Sequence, residues 1–150
     1  MPRLTDMDEQ FVHQLPEPLP NVATPHPHWR ESYFFAVHPP DRLGDVLFLT
    51  MAHYPYSEVM DSLQMGRVSG TSLLDHHSRP YDGDPHTTDV GAARVEVVRP
   101  FEELRLWADP AQCGLGMDLT FRARTKPYAL RRGSMRAGNE IGRASCRERV

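Results

Sequence analysis

Two segments near the carboxyl end of the chain alternate between apolar and polar side chains, and this pattern limits the possible folds more than any other feature. The apolar members are Leu104, Leu106 and Ala108 in residues 103–109, and Met117, Leu119, Phe121 and Ala123 in residues 117–124. A period of two residues is the repeat of a β-strand that rests one face on a core and turns the other toward water. The segments therefore predict an antiparallel pair of strands joined by a short link.

Five more segments carry strand signals and are separated by Gly, Pro and Asp turn residues: 31–37, 45–53, 57–68, 71–76 and 94–99. Residues 45–53 are apolar on both alternating faces, which indicates a strand covered on both sides. In residues 57–68, Val59 and Leu63 lie at helical spacing, but the segment also alternates with a period of two, and we favour a strand that ends at the Ser69-Gly70 turn. No link has room for a helical crossover, so the sequence predicts an all-β antiparallel sheet or partial barrel rather than a parallel sheet.

The first part of the chain has a different composition. Residues 1–28 contain six prolines: Pro2, Pro16, Pro18, Pro20, Pro25 and Pro27. Each proline removes a backbone donor and clashes with the preceding helical turn, so this stretch cannot run as one helix. We expect an extended lead-in, with room for a short helix at 5–14 that Thr5 or Asp6 would cap.

The last ten residues, 141–150, match the translation of a common short-read sequencing adapter codon for codon, and Glu140 fits the junction codon. We expect that the natural reading frame was cut near Asn139 and that its continuation is missing. Segments of this origin are set aside before the fold is considered. The expected organisation is a lead-in at 1–28, a β domain at 29–139 and an adapter-derived tail at 140–150.

The charge balance excludes one class of partner. The whole chain carries a formal charge of −3, and the tail contributes three Arg and one Glu, so residues 1–140 carry −3 − 2 = −5. A mildly acidic domain has no electrostatic footprint for nucleic acid, and no nucleic-acid partner is expected. The short basic run at 122–126 fits a solvated strand face better than a binding patch.

Hydropathy and cysteine content point to a cytoplasmic protein. No run of the sequence approaches the roughly 20 apolar residues that cross a bilayer, so no membrane span is expected. The polar start of the chain lacks the apolar core of a secretory signal. Cys113 is the single cysteine outside the tail, which leaves no internal disulfide and favours an inert thiol in a reducing compartment.

Three short motifs resemble those of a known family. They are Trp29-Arg-Glu-Ser-Tyr-Phe34, then Pro100-Phe101 ahead of Leu104-Arg-Leu-Trp107, and finally Asp118-Leu-Thr-Phe121. With the Pro-rich lead-in, this order resembles the N-terminal half of hydroxyneurosporene synthase-like proteins, the superfamily of carotenoid 1,2-hydratase and AttH, and within it the tocopherol-cyclase-like branch. The resemblance covers roughly residues 29–125. It implies two lipocalin-like antiparallel barrels in tandem, of which this chain holds the first and lacks its C-terminal partner half.

The resemblance also implies a small hydrophobic ligand, isoprenoid or lipid-like, and no cofactor. The chemistry of the family adds water to an isoprenoid double bond, which requires a carboxylic acid kept protonated by an apolar pocket. Glu31 is the one carboxylate that lies in a family-like motif, although a structural hydrogen-bond acceptor is the more common role for such a residue. Trp29 and Tyr33 of the same motif are the ligand-lining candidates.

His53 and Tyr54 end the apolar strand at 45–53. A histidine on such a strand either finds a hydrogen-bond partner or faces a cavity. The first case is the more frequent, and Glu58 or Asp61 would then supply the partner. In the second case His53 is a weak catalytic candidate, and both residues are candidates to line a ligand site.

A metal centre is the second functional hypothesis. His26, His28 and Glu31 form an HxHxxE pattern like the start of a cupin metal site, and imidazole with carboxylate suits zinc or iron. The glycine-bearing strand that precedes a cupin motif is missing, and Pro27 separates the two histidines. Loop histidines beside prolines are the simpler interpretation, so no metal is expected.

Other polar clusters fit solvated loops or turns. His76-His77 and the segment from Asp82 to Asp89 lack the spacing of a calcium loop, although Asp84 and His86 would matter if this loop rims an open barrel. Gly114-Leu-Gly116 precedes a strand and therefore fits a turn rather than a phosphate loop. A third hypothesis is a structural half-domain with no site of its own.

Overall fold

The computed structural model describes residues 4–10, 30–54, 56–84, 86–129, 133–137, 140–144 and 147–148. A 3-10 helix at Asp6–Glu9 and an α-helix, α1, at Pro110–Cys113 stand among antiparallel strands. The strands are β1 (Glu31–Val37), β2 (Val46–Tyr54), β3 (Val59–Val68), β4 (Thr71–Pro80), β5 (Asp89–Val90), β6 (Ala93–Arg99), β7 (Glu103–Ala108), β8 (Met117–Arg122), β9 (Tyr128–Ala129), β10 (Gly133–Ala137), β11 (Glu140–Ala144) and β12 (Arg147–Glu148).

The first sheet is a meander of β1, β2, β3 and β4 in that order. Each strand pairs antiparallel with the next in a single uninterrupted register, from Glu31 opposite His53 to Val68 opposite Thr71. Gly66 on β3 makes the sheet unusually tight at one point. A Cβ atom there would overlap the carbonyl oxygen of Val46 and lie 2.9 Å from the Cα of Leu47, so only glycine fits.

The second sheet is a meander of β5, β6, β7 and β8. Its register shifts once, between Val97 and Arg99 on β6, which marks a β-bulge. Gly91 lies in the two-residue turn between β5 and β6 and has φ 58, the left-handed conformation that such hairpin turns require. The Pro100-Phe101 turn leads into β7, and Phe101 also adopts a positive φ of 60.

The two sheets pack their inward faces together and enclose the apolar core. The first sheet contributes Phe35, Leu47, Leu49, Met51 and Met60 to this core. The second sheet contributes Val90, Ala93, Val95, Leu104, Leu106, Ala108 and Met117. The rings of Phe35 and Phe121 meet across the interface with 5.2 Å between centroids. Burying such side chains is worth about 1.5–3 kcal/mol each, so this interface is the main source of stability.

Polar contacts also join the layers. The Ser62 hydroxyl on β3 donates a 2.9 Å hydrogen bond to the carbonyl of Val90 on β5. Glu9, in the 3-10 helix, is buried and holds both sheets at once. Its carbonyl accepts from the Tyr33 hydroxyl at 2.7 Å, and its carboxylate accepts from the Phe101 amide at 2.7 Å. The short N-terminal helix is therefore part of the packed domain.

The expected all-β antiparallel fold is confirmed, as an open arrangement of two sheets. The alternating segments became β7 and β8, which pair directly through Leu106 and Leu119, and the ambiguous segment 57–68 became a strand. Two further ladders of two strands each are separate from these sheets: β10 pairs with β11, and β12 pairs with β9. The possible helix at 5–14 is seen as Asp6–Glu9, and most of the lead-in, residues 11–29, lies outside the described residues.

One expectation was wrong, and one link contains an element that the sequence did not predict. The return strand expected at 71–76 continues to Pro80, because the edge position of β4 tolerates a proline that cannot donate to a ladder. The link after β7 contains the short helix α1, which Asp109 caps by accepting from the Ala111 amide and which ends at Gly114 in the left-handed conformation.

Among the described residues, no helix is long and apolar enough to cross a membrane.

Candidate functional site

One end of the first sheet buries polar side chains on its inward face. Because the register is continuous, Glu31, His53, Met60 and Arg79 form a row across the four strands, with all four on the same side. We call Glu31, His53, Arg79 and the neighbouring Tyr81 the inner polar cluster. It lies beside the apolar core, and two of its members, His53 and Tyr81, have no side-chain hydrogen bond among the described residues, although buried polar groups are normally hydrogen-bonded.

His53 is the centre of this cluster. Its side chain is fully buried, at 0% exposed, and neither ring nitrogen has a hydrogen-bond partner among the residues that the structure describes. Burial, assisted by the positive charge of Arg79, lowers the pKa of His53 from 6.5 to about 4. At neutral pH the imidazole is therefore uncharged, with one nitrogen that can donate and one that can accept.

Tyr81 packs its ring on that imidazole. The ring centroids are 4.2 Å apart, with the planes tilted by 55°. The backbone places Tyr81 there, because its amide donates to the Glu58 carbonyl at 2.8 Å directly after β4. Burial, assisted by the charges of Asp82 and Asp84, raises the pKa of Tyr81 to about 12, and within the described part of the chain its hydroxyl has no hydrogen-bond partner.

The Arg79 guanidinium binds the loop that connects β4 to β5. Its guanidinium donates to the carbonyls of Asp89 at 2.7 Å, Pro80 at 2.9 Å and Thr87 at 3.1 Å, and approaches the Asp82 carboxylate at 3.5 Å. These contacts tie the end of β4 to the start of β5. Arg79 thus acts on His53 through its charge while its own donors are used for structure.

Glu31 is the cross-strand neighbour of His53. The two residues are directly opposite in the β1–β2 ladder, point to the same face and are 5% and 0% exposed. Directly opposite residues have Cβ atoms about 4.5–5.5 Å apart, so a small ligand group or a water could contact both. The structure therefore brings together the two residues that the sequence singled out as weak catalytic candidates.

The next two rows of the inward face add a second pair of polar groups on β4. Asp75 and His77 lie two residues apart on β4, and the carboxylate oxygen Oδ1 is 3.0 Å from Nε2 of the imidazole. The His77 ring covers Gly91, where a Cβ atom would overlap the imidazole. Glycine at this turn thus serves both the backbone conformation and the packing of His77 between the sheets.

The remaining sequence candidates fall in different places. Tyr33 lies on the same inward face as His53, and its hydroxyl is bonded to Glu9. Tyr54 lies on the opposite, outward face, where its hydroxyl donates to Asp61 at 3.0 Å. Asp61 therefore accepts from Tyr54 rather than from His53, and among the described residues the expected hydrogen-bonded core histidine is not found. Trp29, His26 and His28 lie outside the described residues.

The described residues of the polar loop at 82–84 and 86–89 are anchored by hydrogen bonds to Asp84. The Asp84 carboxylate accepts from the His86 amide at 2.9 Å and from the Thr87 hydroxyl at 2.8 Å, and these hydrogen bonds lower the pKa of Asp84. The described residues contain no group of three His, Cys, Asp or Glu side chains placed to hold a metal ion. Cys113 is a free thiol whose sulfur lies 3.2 Å from the Leu115 carbonyl.

Two surface hollows lie on the outward face of the second sheet. One, of about 270 Å³, is lined by Arg94, Glu96, Arg105 and Trp107. The other, of about 390 Å³, shares Arg94 and Trp107 and extends along residues 86–93. Arg105 is held by a bidentate ion pair with Asp118, at 2.8 and 2.7 Å. These hollows are charged and shallow, unlike the buried end of the first sheet.

Sequence reasoning missed Arg79, Tyr81 and His77. Their signal is the alternation of Leu73, Asp75, His77 and Arg79, which places all four on one face once β4 is extended to Pro80. The sequence analysis ended this strand at residue 76 and assigned His77 to a solvated cluster. The partial burial of these side chains depends on the second sheet, which the sequence alone does not position.

Fold and site together define an antiparallel β protein of two four-stranded sheets with a polar, buried end centred on an uncharged histidine. The chain belongs to DUF8625, a family of unknown function, whose profile matches residues 4–147. The matched stretch includes residues 141–147, part of the segment expected to derive from an adapter. No curated protein and no solved structure matches the chain.

Proposed function

We propose that this chain is a binding domain for a small, largely apolar molecule, isoprenoid or lipid-like, whose single polar group reaches His53 between the two sheets. The observation that carries the proposal is the imidazole of His53, fully buried and without a hydrogen-bond partner among the described residues. Leaving such a group unsatisfied costs about 1–3 kcal/mol. A ligand hydroxyl or carbonyl would recover that energy on binding.

The surroundings favour a neutral ligand. With the pKa of His53 lowered to about 4 and that of Tyr81 raised to about 12, both rings are uncharged at pH 7 and offer one donor each. Met51 and Met60, both fully buried, flank His53 in the ladder and supply a deformable apolar wall. An alcohol or ketone on a hydrocarbon body matches these groups better than an anion or a sugar.

The resemblance to hydroxyneurosporene synthase-like proteins supports an isoprenoid as the ligand. It also raises a second candidate function, the addition of water to an isoprenoid double bond, and the adjacency of Glu31 and His53 favours it. In that reaction a protonated Glu31 would give its proton to the alkene carbon, and His53 would accept a proton from the water that attacks the carbocation. A partner half of the two-barrel architecture would complete the enclosure.

Ligand binding is tested by titrating a fluorescent polyene fatty acid and a polyene alcohol into the purified protein. We expect saturable binding of the alcohol, weakened about tenfold or more by His53→Gln, because one well-formed hydrogen bond to a buried site is worth 1–2 kcal/mol. His76→Gln is the matched control, since His76 lies on the outward face of β4 and is exposed. Equal affinity in both variants, or no saturable binding at all, would reject the proposal and leave a structural half-domain.

Two further readouts separate the alternatives. Mass spectrometry of an acyclic isoprenoid incubated with the protein detects a hydrated product, and hydration that survives Glu31→Gln would remove Glu31 from the reaction. Elemental analysis tests the metal hypothesis built on His26, His28 and Glu31. Stoichiometric zinc or iron that disappears in a His26→Ala, His28→Ala double variant would replace ligand binding with a metal centre.

A further inference from the structure

The outward face of the first sheet carries an exposed apolar band. Two neighbouring rows cross all four strands: Phe34, Thr50, Leu63 and His76 form one, and Ala36, Phe48, Met65 and Leu74 form the other. Phe34, Leu74 and Met65 are 64%, 76% and 41% exposed. Such a continuous apolar face, unlike single exposed residues, is typical of an interaction surface.

Charges stand at both ends of this band, and they have opposite signs. The outward-facing residues of β3 are, in order, Asp61, Leu63, Met65 and Arg67. Asp61 is half-buried and Arg67 is exposed. Arg67 takes part in none of the ion pairs found within the described ranges of the chain. The strand thus presents an acid, two apolar side chains and a base, evenly spaced along about 20 Å.

We propose that this face binds a second copy of the chain, related by a two-fold axis that lies in the plane of the contact and runs perpendicular to the strands. That axis reverses the strand direction and places β3 of one copy over β3 of the other. Asp61 then faces Arg67 of the second copy, and Leu63 faces Met65. Each ion pair occurs twice, because the contact is isologous.

The side-chain sizes fit the same arrangement. Reversal of the strands brings the two apolar rows over each other, so that Phe34 lies over Ala36 of the second copy and Phe48 lies over Thr50. Large side chains facing small ones interdigitate, as the faces of packed sheets require. Within one copy, Phe34 and Phe48 already stack with 5.9 Å between centroids, which gives the β1–β2 side of the band an aromatic pair. An axis parallel to the strands would instead oppose Asp61 to Ala52 and Arg67 to Val46.

The regular geometry of the sheet permits a flat contact. The pairings of β1 to β2, β2 to β3 and β3 to β4 show no register shift, whereas the second sheet has one. The outward face of the second sheet is also dominated by charge, through Arg94, Glu96 and the Arg105–Asp118 ion pair. The first sheet is therefore the better dimer face.

The test is a charge swap read by sedimentation equilibrium over a wide range of protein concentration. We expect a wild-type dimer, and Arg67→Asp should raise its dissociation constant about tenfold or more, because one substitution turns two ion pairs into two repulsive contacts. The double variant Asp61→Arg, Arg67→Asp restores opposite charges and should recover the dimer. Arg94→Asp, with the same charge change on the other sheet, is the matched control and should leave the dimer intact.

Each outcome decides the proposal. A wild-type monomer at every concentration, or a dimer that responds equally to Arg67→Asp and Arg94→Asp, overturns it. Because Asp61 also accepts from Tyr54, the folding of Asp61→Arg variants is checked by circular dichroism. If the double variant unfolds, the alternative Leu63→Lys places a charge in the centre of the band and should abolish association, and a persistent dimer in Leu63→Lys would overturn the proposal.

Discussion

His53 and Tyr81 face each other inside the protein without a hydrogen bond between them. Their rings are 4.2 Å apart, and neither the imidazole nitrogens nor the phenol oxygen has a partner among the described residues. The shift in each pKa has burial as its main cause and keeps that ring uncharged. The pair therefore places polar atoms in the interior without hydrogen bonds from the described residues, and this affects the stability of the fold.

Acid should destabilise the protein through His53. In the folded state the pKa of His53 is about 4, below its ordinary 6.5, so the unfolded chain binds a proton more readily between these values. Stability is therefore lost as pH falls from about 6.5 to 4, and the loss is on the order of 3 kcal/mol. Urea unfolding at pH 7 and pH 4 measures it. In His53→Gln the difference in unfolding free energy between the two pH values should shrink by that amount, and an unchanged difference would contradict the assignment.

Tyrosine-to-phenylalanine substitutions should have opposite effects at Tyr81 and Tyr54. The Tyr81 hydroxyl is buried without a partner in the described structure, so Tyr81→Phe removes a desolvation cost and should leave stability unchanged or raise it by up to about 1 kcal/mol. The Tyr54 hydroxyl donates to Asp61 at 3.0 Å, and Tyr54→Phe should cost about 0.5–1.5 kcal/mol. Chemical denaturation of the two variants decides, and a larger loss for Tyr81→Phe would show a missing partner.

Adjacent residues on β7 should differ sharply in their contribution to stability. Leu106 is fully buried between the sheets, and Leu106→Ala should cost about 2–5 kcal/mol. Trp107 is larger, but it lies on the outward face and is exposed, so Trp107→Ala should cost less than half as much. Thermal and urea unfolding of the pair tests the alternation itself. Equal losses would mean that the strand does not rest one face on the core.

That alternation is also the reason why this part of the fold was predictable. Leu104 and Leu106 against Arg105 and Trp107 define a strand by period alone, and a short link to Met117 leaves only a hairpin. β4 is different, because its inward residues Asp75, His77 and Arg79 are polar. All three are partly buried, His77 against Gly91 and Arg79 against the carbonyls of Thr87 and Asp89, and a period of polar residues does not reveal which face will be covered.

The candidate site was predictable only in part for the same reason. Glu31 was singled out by its family-like motif and His53 by its apolar strand, yet their adjacency depends on the register of β1 with β2. Tyr81 is 28 residues from His53 along the chain and reaches it through two strand reversals. The expected hydrogen bond from His53 to Asp61 does not form, because His53 faces inward while Asp61 faces outward, where its carboxylate accepts from the Tyr54 hydroxyl.

Gly66 should tolerate no side chain. It faces inward on β3, opposite Leu47, and a Cβ atom would overlap the Val46 carbonyl oxygen and approach backbone that cannot move aside. Gly66→Ala should therefore cost about 1–3 kcal/mol or more, as overpacking of a core does. Gly116→Ala is the control, since its Cβ would meet only the Pro110 ring at 3.2 Å. Unfolding free energies that match between the two variants would contradict the close approach of β2 and β3.

Removal of residues 141–150 should leave the melting temperature unchanged or higher. In the structure these residues complete two small ladders, β11 with β10 and β12 with β9, which are separate from the two four-stranded sheets. A two-stranded ladder alone is at best marginally stable, so it adds little to the cooperative unfolding of the core. Calorimetry of the full and shortened chains measures the effect. A clear drop in melting temperature would mean that the tail is an integral part of the fold, against the expectation that it derives from an adapter.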